Sequence, residues 1–215
     1  MRLPDASQRL SIVGATGTGK TVAAVWHLSM RDYLHRPWIV YNWKGDKNID
    51  GIPGKIDIGV DEIPIRPGVY VVHPHPSQQE EVEQQMWSIW DKQGIGVYVD
   101  EGYMVGKNNP AFRSLLTQGR SREIPIITLS QRPVWMDRFV FTESEFFQVF
   151  RLQHKDDRTT VEKFVPADLS KRLPQHHSYY YDVNADTLTP LKPVPPIEEI
   201  YPTFASRLRR VKKVF

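Results

Sequence analysis

The chain is organised around Leu10-Ser11-Ile12-Val13-Gly14-Ala15-Thr16-Gly17-Thr18-Gly19-Lys20-Thr21. Residues 14–21 fit the pattern G-x-x-x-x-G-K-[ST] at every constrained position. The apolar residues before them predict a short buried strand, and residues 22–26 after them predict the start of a helix. A strand, a glycine-rich turn and a helix in this order form a phosphate-binding loop, because backbone N–H groups turn inward around an anion and the helix N-terminus adds positive potential. The stretch therefore predicts a bound triphosphate.

Two side chains of this loop have specific predicted tasks. Lys20 is expected to reach the β and γ phosphates, and the Thr21 hydroxyl is expected to complete the shell of a Mg²⁺ ion. The predicted cofactors are therefore ATP and Mg²⁺. The predicted nucleotide-binding residues are Gly14, Thr16, Gly17, Thr18, Gly19, Lys20 and Thr21.

The composition is ordinary for a globular protein and excludes several kinds of site. Of the 215 residues, 40% are hydrophobic, 25% are charged and none is cysteine. Disulfides, iron–sulfur clusters and thiolate zinc sites are thereby excluded. No stretch approaches the roughly 18 apolar residues of a membrane helix, and the N-terminus lacks the apolar core of a signal peptide. We expect a protein that is made and kept in the cytoplasm and is not an integral membrane protein.

The last part of the chain differs from the rest in charge and in proline content. The net charge of the whole is +3, whereas residues 191–215 carry six Lys or Arg against two Glu. We predict a domain with the phosphate-binding loop over 1–189, then a proline-rich linker and a basic C-terminal tail over 190–215, with a short helix from about Phe204 to Val214. The tail suggests a polyanion or an acidic partner surface, and a merely solvated terminus stays an open alternative.

Predicted strands and helices alternate along the chain. This alternation favours a mainly parallel sheet with helices on both faces. We expect the segment from Lys44 to Pro67 to be a long loop with a small hairpin, and Ser77 with Glu80 to form a capping box. The predicted strands are 10–13, 37–43, 68–73, 95–101, 124–131 and 145–152, the predicted helices are 20–35, 78–93, 109–119 and 156–164, and the predicted antiparallel hairpin is 179–189.

Two predicted strands end in polar residues that can take part in metal binding and catalysis. A carboxylate such as Asp100, at the C-terminal end of a parallel strand, can hold a water of the Mg²⁺ shell, and the adjacent Glu101 can polarise an attacking water. Gln131 ends the following strand, where a neutral amide can contact both the γ-phosphate and the lytic water. We therefore predict Thr21 and Asp100 at the metal, Glu101 as the base and Gln131 as the γ-phosphate sensor.

The order of these motifs resembles the FtsK/HerA class of P-loop ATPases that pump DNA. The resemblance covers roughly residues 10–133 and rests on 14–21, Asp100-Glu101, Gln118-Gly119-Arg120 and Ser130-Gln131-Arg132-Pro133. Small size and the lack of a membrane segment make the chain most similar to the genome-packaging ATPases of tailless icosahedral viruses with an internal membrane.

A second loop resembles a motif found in conjugative and HerA-like members of this class. Lys44-Gly45-Asp46 matches the end of their Asp-Pro-Lys-Gly-Glu type sequence. Asn42 and Trp43 stand where that motif has Asp and Pro, so this loop departs from the family pattern.

The resemblance implies a RecA-like fold with a small C-terminal β appendage, and a ring of five or six subunits in which a neighbour supplies an arginine. Arg120 matches the Gly-Arg position, while Arg113, Arg122 and Arg132 stay open as alternatives. Arginine suits this task because its planar charged fork can neutralise charge on a γ-phosphate. The resemblance also implies double-stranded DNA and capsid or membrane vertex proteins as partners, in the host cytoplasm or at the packaging vertex of the virion.

Two loops are candidates for gripping the DNA backbone without reading sequence. One is residues 102–109, directly after Glu101, and the other carries Lys44, Lys47 and Lys55. The predicted function is an ATP-hydrolysing translocase that packages double-stranded viral DNA into a preformed capsid.

Three other functions stay open. They are a phage-export or conjugation-type assembly ATPase, a nucleotide-bound structural vertex protein without turnover, and a metabolic nucleotide kinase. The first usually carries a membrane segment. Glu101 and Gln131 argue against the kinase, which has no need to activate water.

Overall fold

One mixed sheet forms the centre of the protein. The computed structural model describes residues 1–211, so Lys212 and Lys213 of the predicted basic helix lie outside the described part. The strands are β1 Arg9–Val13, β2 Pro37–Tyr41, β3 Ile56–Asp57, β4 Gly68–Val72, β5 Gly96–Val99, β6 Ile126–Ser130, β7 Phe146–Phe150, β8 Ser178–Asp182 and β9 Thr187–Leu191. The helices are α1 Lys20–Ser29, α2 Lys47–Asp50, α3 Gln79–Lys92, α4 Pro110–Gln118, α5 Arg138–Thr142, α6 Lys155–Val161 and α7 Ile197–Val211.

The strand order brings the predicted site residues to one edge of the sheet. In the described residues the order is β3-β4-β2-β5-β6-β1-β7-β8-β9, and all pairs from β3 to β7 are parallel. The carboxyl ends of these strands therefore share one edge, where ligands of parallel α/β sheets bind. The predicted C-terminal hairpin is confirmed, and it continues the sheet through an antiparallel pair with β7.

Each face of the sheet is covered by its own hydrophobic core. Trp38 and Val40 of β2 face the core that includes α1 and α7, while Ile39 and Tyr41 face the core that includes α3 and α4. Successive side chains of a strand point to opposite faces, so a strand covered on both sides is apolar at every position. The predicted fold class, a mainly parallel α/β sheet with helices on both faces, is confirmed.

Several local predictions were wrong for identifiable reasons. Helix α1 ends at Ser29 because the chain then turns to bury Tyr33, whose ring stacks on Phe204 with centroids 5.3 Å apart. The segment predicted as a loop with a hairpin holds α2 and β3, and β3 pairs in parallel with β4. The capping box does not form, since the Ser77 hydroxyl pairs with His75 Nδ1 at 2.7 Å.

Helix α7 begins earlier than predicted and packs on the body of the protein. It starts at Ile197, and Ile200 and Phe204 are buried against the α1 face. The Tyr201 hydroxyl donates to the carbonyl of Asn48 at 3.0 Å. The division into 1–189 and 190–215 stays a prediction.

Within residues 1–211, no helix is both long and apolar enough to cross a bilayer.

Candidate active site

The loop between β1 and α1 has the shape that the motif predicts. Gly17 and Gly19 have φ values of +76° and +95°, which glycine adopts without a steric cost. Gly19 is the N-cap of α1 and contributes no side-chain acceptor, so the first N–H groups of the helix are available to an anion. The loop is tied to both neighbouring strands, because Gly14 N–H donates to the Ser130 carbonyl at 3.2 Å and Ala15 N–H to the Arg151 carbonyl at 2.9 Å.

Two lysines converge on one oxygen of Glu101. The buried Lys20 Nζ lies 4.0 Å from Glu101 Oε1, and Lys44 Nζ lies 2.5 Å from the same atom. Burial lowers the pKa of Lys20, although the charges of Glu101 and Asp100 oppose the change. Burial also acts to lower the pKa of Lys44, but the hydrogen bond and the charge of Glu101 outweigh it and the pKa is raised. The buried carboxylate is therefore compensated by two ammonium groups.

Asp100 is a buried acid in a group of carboxylates. Its pKa is raised to about 7, first because burial disfavours the charged form and then because of the charges of Glu101 and Asp46. A divalent cation relieves this kind of repulsion, and Mg²⁺ prefers oxygen ligands. Thr21, the second residue of α1, adds a partly buried hydroxyl. The donors present are therefore of the kind that suits Mg²⁺.

Gln131 connects the P-loop with the end of β5. Its backbone N–H donates to Glu101 Oε2 at 3.3 Å, and its side-chain Oε1 accepts from the Thr16 hydroxyl at 2.5 Å. Both oxygens of Glu101 are thus engaged, one by Lys44 and one by Gln131. The fold therefore brings Thr16, Lys20, Glu101 and Gln131 together.

Lys44 is a site residue whose role the sequence did not reveal. Its position in Lys44-Gly45-Asp46, after a predicted strand, is the one signal in the sequence, and that signal does not distinguish a contact with Glu101 from a contact with DNA. The loop is held by Asn42, which is 1% exposed. Asn42 Oδ1 accepts from Asp46 N–H at 2.8 Å, and its amide donates to Asp50 at 3.0 Å. Asn42 thereby organises the turn at a position where the family motif has Asp.

Arg120 is not near the P-loop of its own chain. It lies in the 3₁₀ turn Gly119–Arg122, and its side chain is 59% exposed with Nη1 at 3.8 Å from Glu145. Glu145 precedes β7, so this contact belongs to the amino edge of the sheet. The other three candidates are held more closely: Arg113 by Asp137 at 2.6 Å, Arg132 by Asp157 at 3.0 Å and Arg122 over the ring of Trp90 at 3.4 Å from its centroid.

Glu145 already has a closer partner than Arg120. The guanidinium of Arg9 lies 2.6 Å from Glu145 Oε1, and the Arg9 backbone N–H donates to Oε2 at 2.8 Å. Both side chains of this pair are less than one-tenth exposed. Arg120 is therefore an outer and weaker contact of an ion pair that is complete without it.

Comparison with known proteins gives both a near relative and structural neighbours. DNA packaging ATPase P9 of Enterobacteria phage PRD1 is 48% identical over 215 residues, which cover 95% of this chain and 95% of P9. No protein-family model matches the chain.

Two solved structures share the fold. The genome packaging NTPase B204 of Sulfolobus turreted icosahedral virus 2, in complex with AMPPCP, has a TM-score of 0.70 and 19% identity over 89% of this chain and 100% of that one. The DNA-packaging ATPase B204 of Sulfolobus turreted icosahedral virus has a TM-score of 0.62 and 16% identity over 88% and 98% of the two chains. At such identities these structures show the fold, while the near-complete match to P9 shows the family. The chain belongs to the family of viral DNA packaging ATPases that includes P9.

Proposed function

We propose that this packaging ATPase works as a ring of identical subunits and uses ATP hydrolysis to move double-stranded DNA into a preformed capsid. The observation that carries the proposal is the convergence of Lys20, Glu101 and Gln131 at the carboxyl edge of β1, β5 and β6. A P-loop beside a buried acid and a polar strand end is the arrangement that hydrolysis of a triphosphate requires. Membership of the P9 family supports the same activity.

The groups of this site divide the chemical work. The N–H groups of residues 14–20 and the Lys20 ammonium bind the phosphates. Thr21 and Asp100 would hold Mg²⁺, which when bound neutralises phosphate charge. Glu101 accepts a proton from water as the water oxygen bonds to the γ-phosphorus and ADP leaves, and Gln131 orients that water.

Both oxygens of the Glu101 carboxylate are held by groups of its own chain. Lys44 and the Gln131 N–H engage its two oxygens, and Thr16 engages the Gln131 side chain. A γ-phosphate attracts Lys20 and competes for Thr16, so nucleotide binding loosens these contacts. We propose that Glu101 then exchanges its contact with Lys44 for one with water.

Arg120 is proposed to complete the site of the adjacent subunit. Its side chain is largely exposed and its contact at 3.8 Å is loose, which suits a residue whose ligand belongs to another copy. Its location at the opposite edge of the sheet argues against a role in its own site. A permanently charged planar group is the type that stabilises a transferring phosphoryl group.

The loop at residues 102–109 is the proposed DNA contact. Lys107 donates to the Val134 carbonyl at 3.0 Å, and Tyr103 meets Trp135 edge to face with centroids 5.5 Å apart. The segments that follow Glu101 and Gln131 therefore touch each other, so a change at the γ-phosphate has a short path to Lys107. On the other candidate loop, Lys44 forms an ion pair with Glu101 and Lys55 with Asp57, which leaves the exposed Lys47 as its candidate for DNA contact.

The proposed partners beyond DNA are capsid or membrane vertex proteins. We place the protein in the host cytoplasm and at the packaging vertex, which is where a genome enters a preformed shell. The C-terminal segment is the proposed docking element for those proteins.

The test is ATP turnover at graded protein concentration, with and without double-stranded DNA. We expect the rate per subunit to rise cooperatively with concentration and to rise again with double-stranded DNA. Activation by single-stranded DNA alone would favour an export-type assembly ATPase. No turnover under any of these conditions would favour a nucleotide-bound vertex protein.

A further inference from the structure

The two flanks of the P-loop differ in what a nucleotide can find there. Lys20, Glu101 and Gln131 converge on the side of β5 and β6, which fixes the direction of the γ-phosphate under the proposed function. The triphosphate is an extended chain, so its nucleoside must leave the loop on the other side. The strands on that side are β7 and β8.

A cavity lies on that second side. It has a volume of about 340 Å³ and is lined by P-loop residues 16–18, by Arg151 and by the segment 172–177. Arg151 directly follows β7, and its carbonyl accepts from Ala15 N–H. The segment 172–177 precedes β8, the next strand of the sheet. The cavity is therefore continuous with the phosphate cradle, and its volume is in the range of small-ligand sites, about 300–1,000 Å³.

The wall formed by residues 172–177 touches the P-loop. A Cβ placed on Gly19 would lie 3.1 Å from His176 Nδ1, so a side chain on Gly19 would crowd the imidazole. His176 itself has a φ of +59°, an unusual backbone conformation for a residue with a side chain. This conformation turns the chain at the point where it meets the loop.

The side chains of this wall are suited to an aromatic ligand. Arg172 and His176 carry planar groups that stack on aromatic faces. Among the described residues, neither Arg172 nor Arg151 has an ion-pair partner. The guanidinium groups at this cavity are thus available to a ligand, whereas Arg113 and Arg132 are held by Asp137 and Asp157.

We propose that this cavity is the nucleoside pocket of the ATPase, with Arg172 and His176 stacking on the base of ATP. The inference rests on the proposed function, because it takes the direction of the triphosphate from Glu101 and Gln131. It assigns to the segment 172–177 a role in binding that no motif of the sequence indicated.

The test compares two ligands that share the phosphates and differ in the nucleoside. AMPPNP and inorganic tripolyphosphate are titrated into the full-length protein and its variants by calorimetry. Arg172→Lys keeps the charge and removes the plane, and His176→Ala removes the ring. Each is expected to raise the Kd for AMPPNP about five- to tenfold and to leave the Kd for tripolyphosphate unchanged.

Matched controls separate this inference from the proposed function. Arg138→Lys and His35→Ala alter exposed residues outside the cavity and should change neither Kd. Lys20→Ala should abolish binding of both ligands. Unchanged AMPPNP binding by Arg172→Lys and His176→Ala, with both ligands lost in Lys20→Ala, would overturn the pocket and leave the P-loop assignment intact. Failure of the wild type to bind either ligand would overturn the proposed function itself.

Discussion

Each of the two edges of the central sheet carries a buried glutamate with two basic side chains, but the basic groups are held differently. At the carboxyl edge Lys20 and Lys44 converge on the buried Glu101. At the amino edge Arg9 closes on Glu145, while Arg120 stays largely exposed beside them. Within residues 1–211 the charges of the first group are paired, whereas in the second group the Arg120 guanidinium makes only a contact at 3.8 Å. This difference is the basis of the proposal that Arg120 completes the site of a neighbouring subunit.

The largest expected effect tests that idea directly. Glu101→Gln and Arg120→Ala should each reduce ATP turnover by about 10³-fold, because one removes the proposed base and the other the proposed transition-state cation. A mixture of the two variants should recover a measurable part of the activity. The recovery has a geometric reason: at one type of contact, an intact Glu101 from one subunit meets an intact Arg120 from the other. The measurement is steady-state turnover of the mixture against each variant alone.

Two exposed residues serve as controls for this experiment. Glu81→Gln and Arg138→Ala make the same chemical changes away from the site and should keep the wild-type rate. If the mixture is no more active than either variant alone, Arg120 does not act across the interface, and the proposal that it completes a neighbouring site is wrong.

The second prediction separates the two arginines that contact Glu145. Arg9→Met should lower the free energy of unfolding by about 3–5 kcal/mol, because it leaves a buried carboxylate uncompensated. Arg120→Met should change it by less than about 0.5 kcal/mol, as is usual for exposed charges. Urea unfolding of the two variants measures the contrast, and Arg9→Met with Glu145→Met should be less destabilising than Arg9→Met alone. Equal losses from the two single variants would show that Arg120 is a structural residue.

The third prediction concerns a polar group between the two edges. His27 on α1 pairs with Gln148 of β7 at 2.8 Å, and burial lowers its pKa to about 3. In the unfolded chain the histidine binds a proton with a pKa near 6.5. The contribution of His27 to the free energy of unfolding is therefore fully present above pH 6.5 and is lost as the pH falls toward 3. At pH 5 the loss is about 2 kcal/mol relative to neutral pH. The measurement is the free energy of unfolding at pH 7 and at pH 5. The difference between the two values should be smaller in His27→Gln than in the wild type. In the control variant His35→Gln it should equal that of the wild type.

The site residues that the sequence predicted are those fixed by local pattern. Gly14 to Thr21 form a contiguous motif, and Asp100, Glu101 and Gln131 end apolar strands, so their meeting follows once the strands are parallel and adjacent. Lys44 could not be assigned in this way. Its contact with Glu101 joins residues 57 positions apart and depends on β2 lying beside β5, which no local pattern fixes.

Local signals also failed where long-range packing decided the conformation. The prolines from Pro190 onward indicated an extended tail, yet burial of Ile200 and Phe204 stabilises helix α7 from Ile197. Ser77 and Glu80 have the spacing of a capping box, but the Ser77 hydroxyl forms a hydrogen bond with the imidazole of His75 instead. The segment 172–177 has neither periodicity nor a motif. Its position beside the P-loop, where it lines the cavity, depends on the fold and could not be predicted from the sequence.

Helix α1 has a mechanical consequence that follows from its two ends. Its first residue is Lys20, and the carbonyl of its last residue, Ser29, accepts a hydrogen bond from Arg207 of α7. A helix of this length is about 15 Å long and is stiff along its axis. We therefore expect a displacement of helix α7 to be transmitted along α1 to Lys20, at the start of the predicted phosphate site.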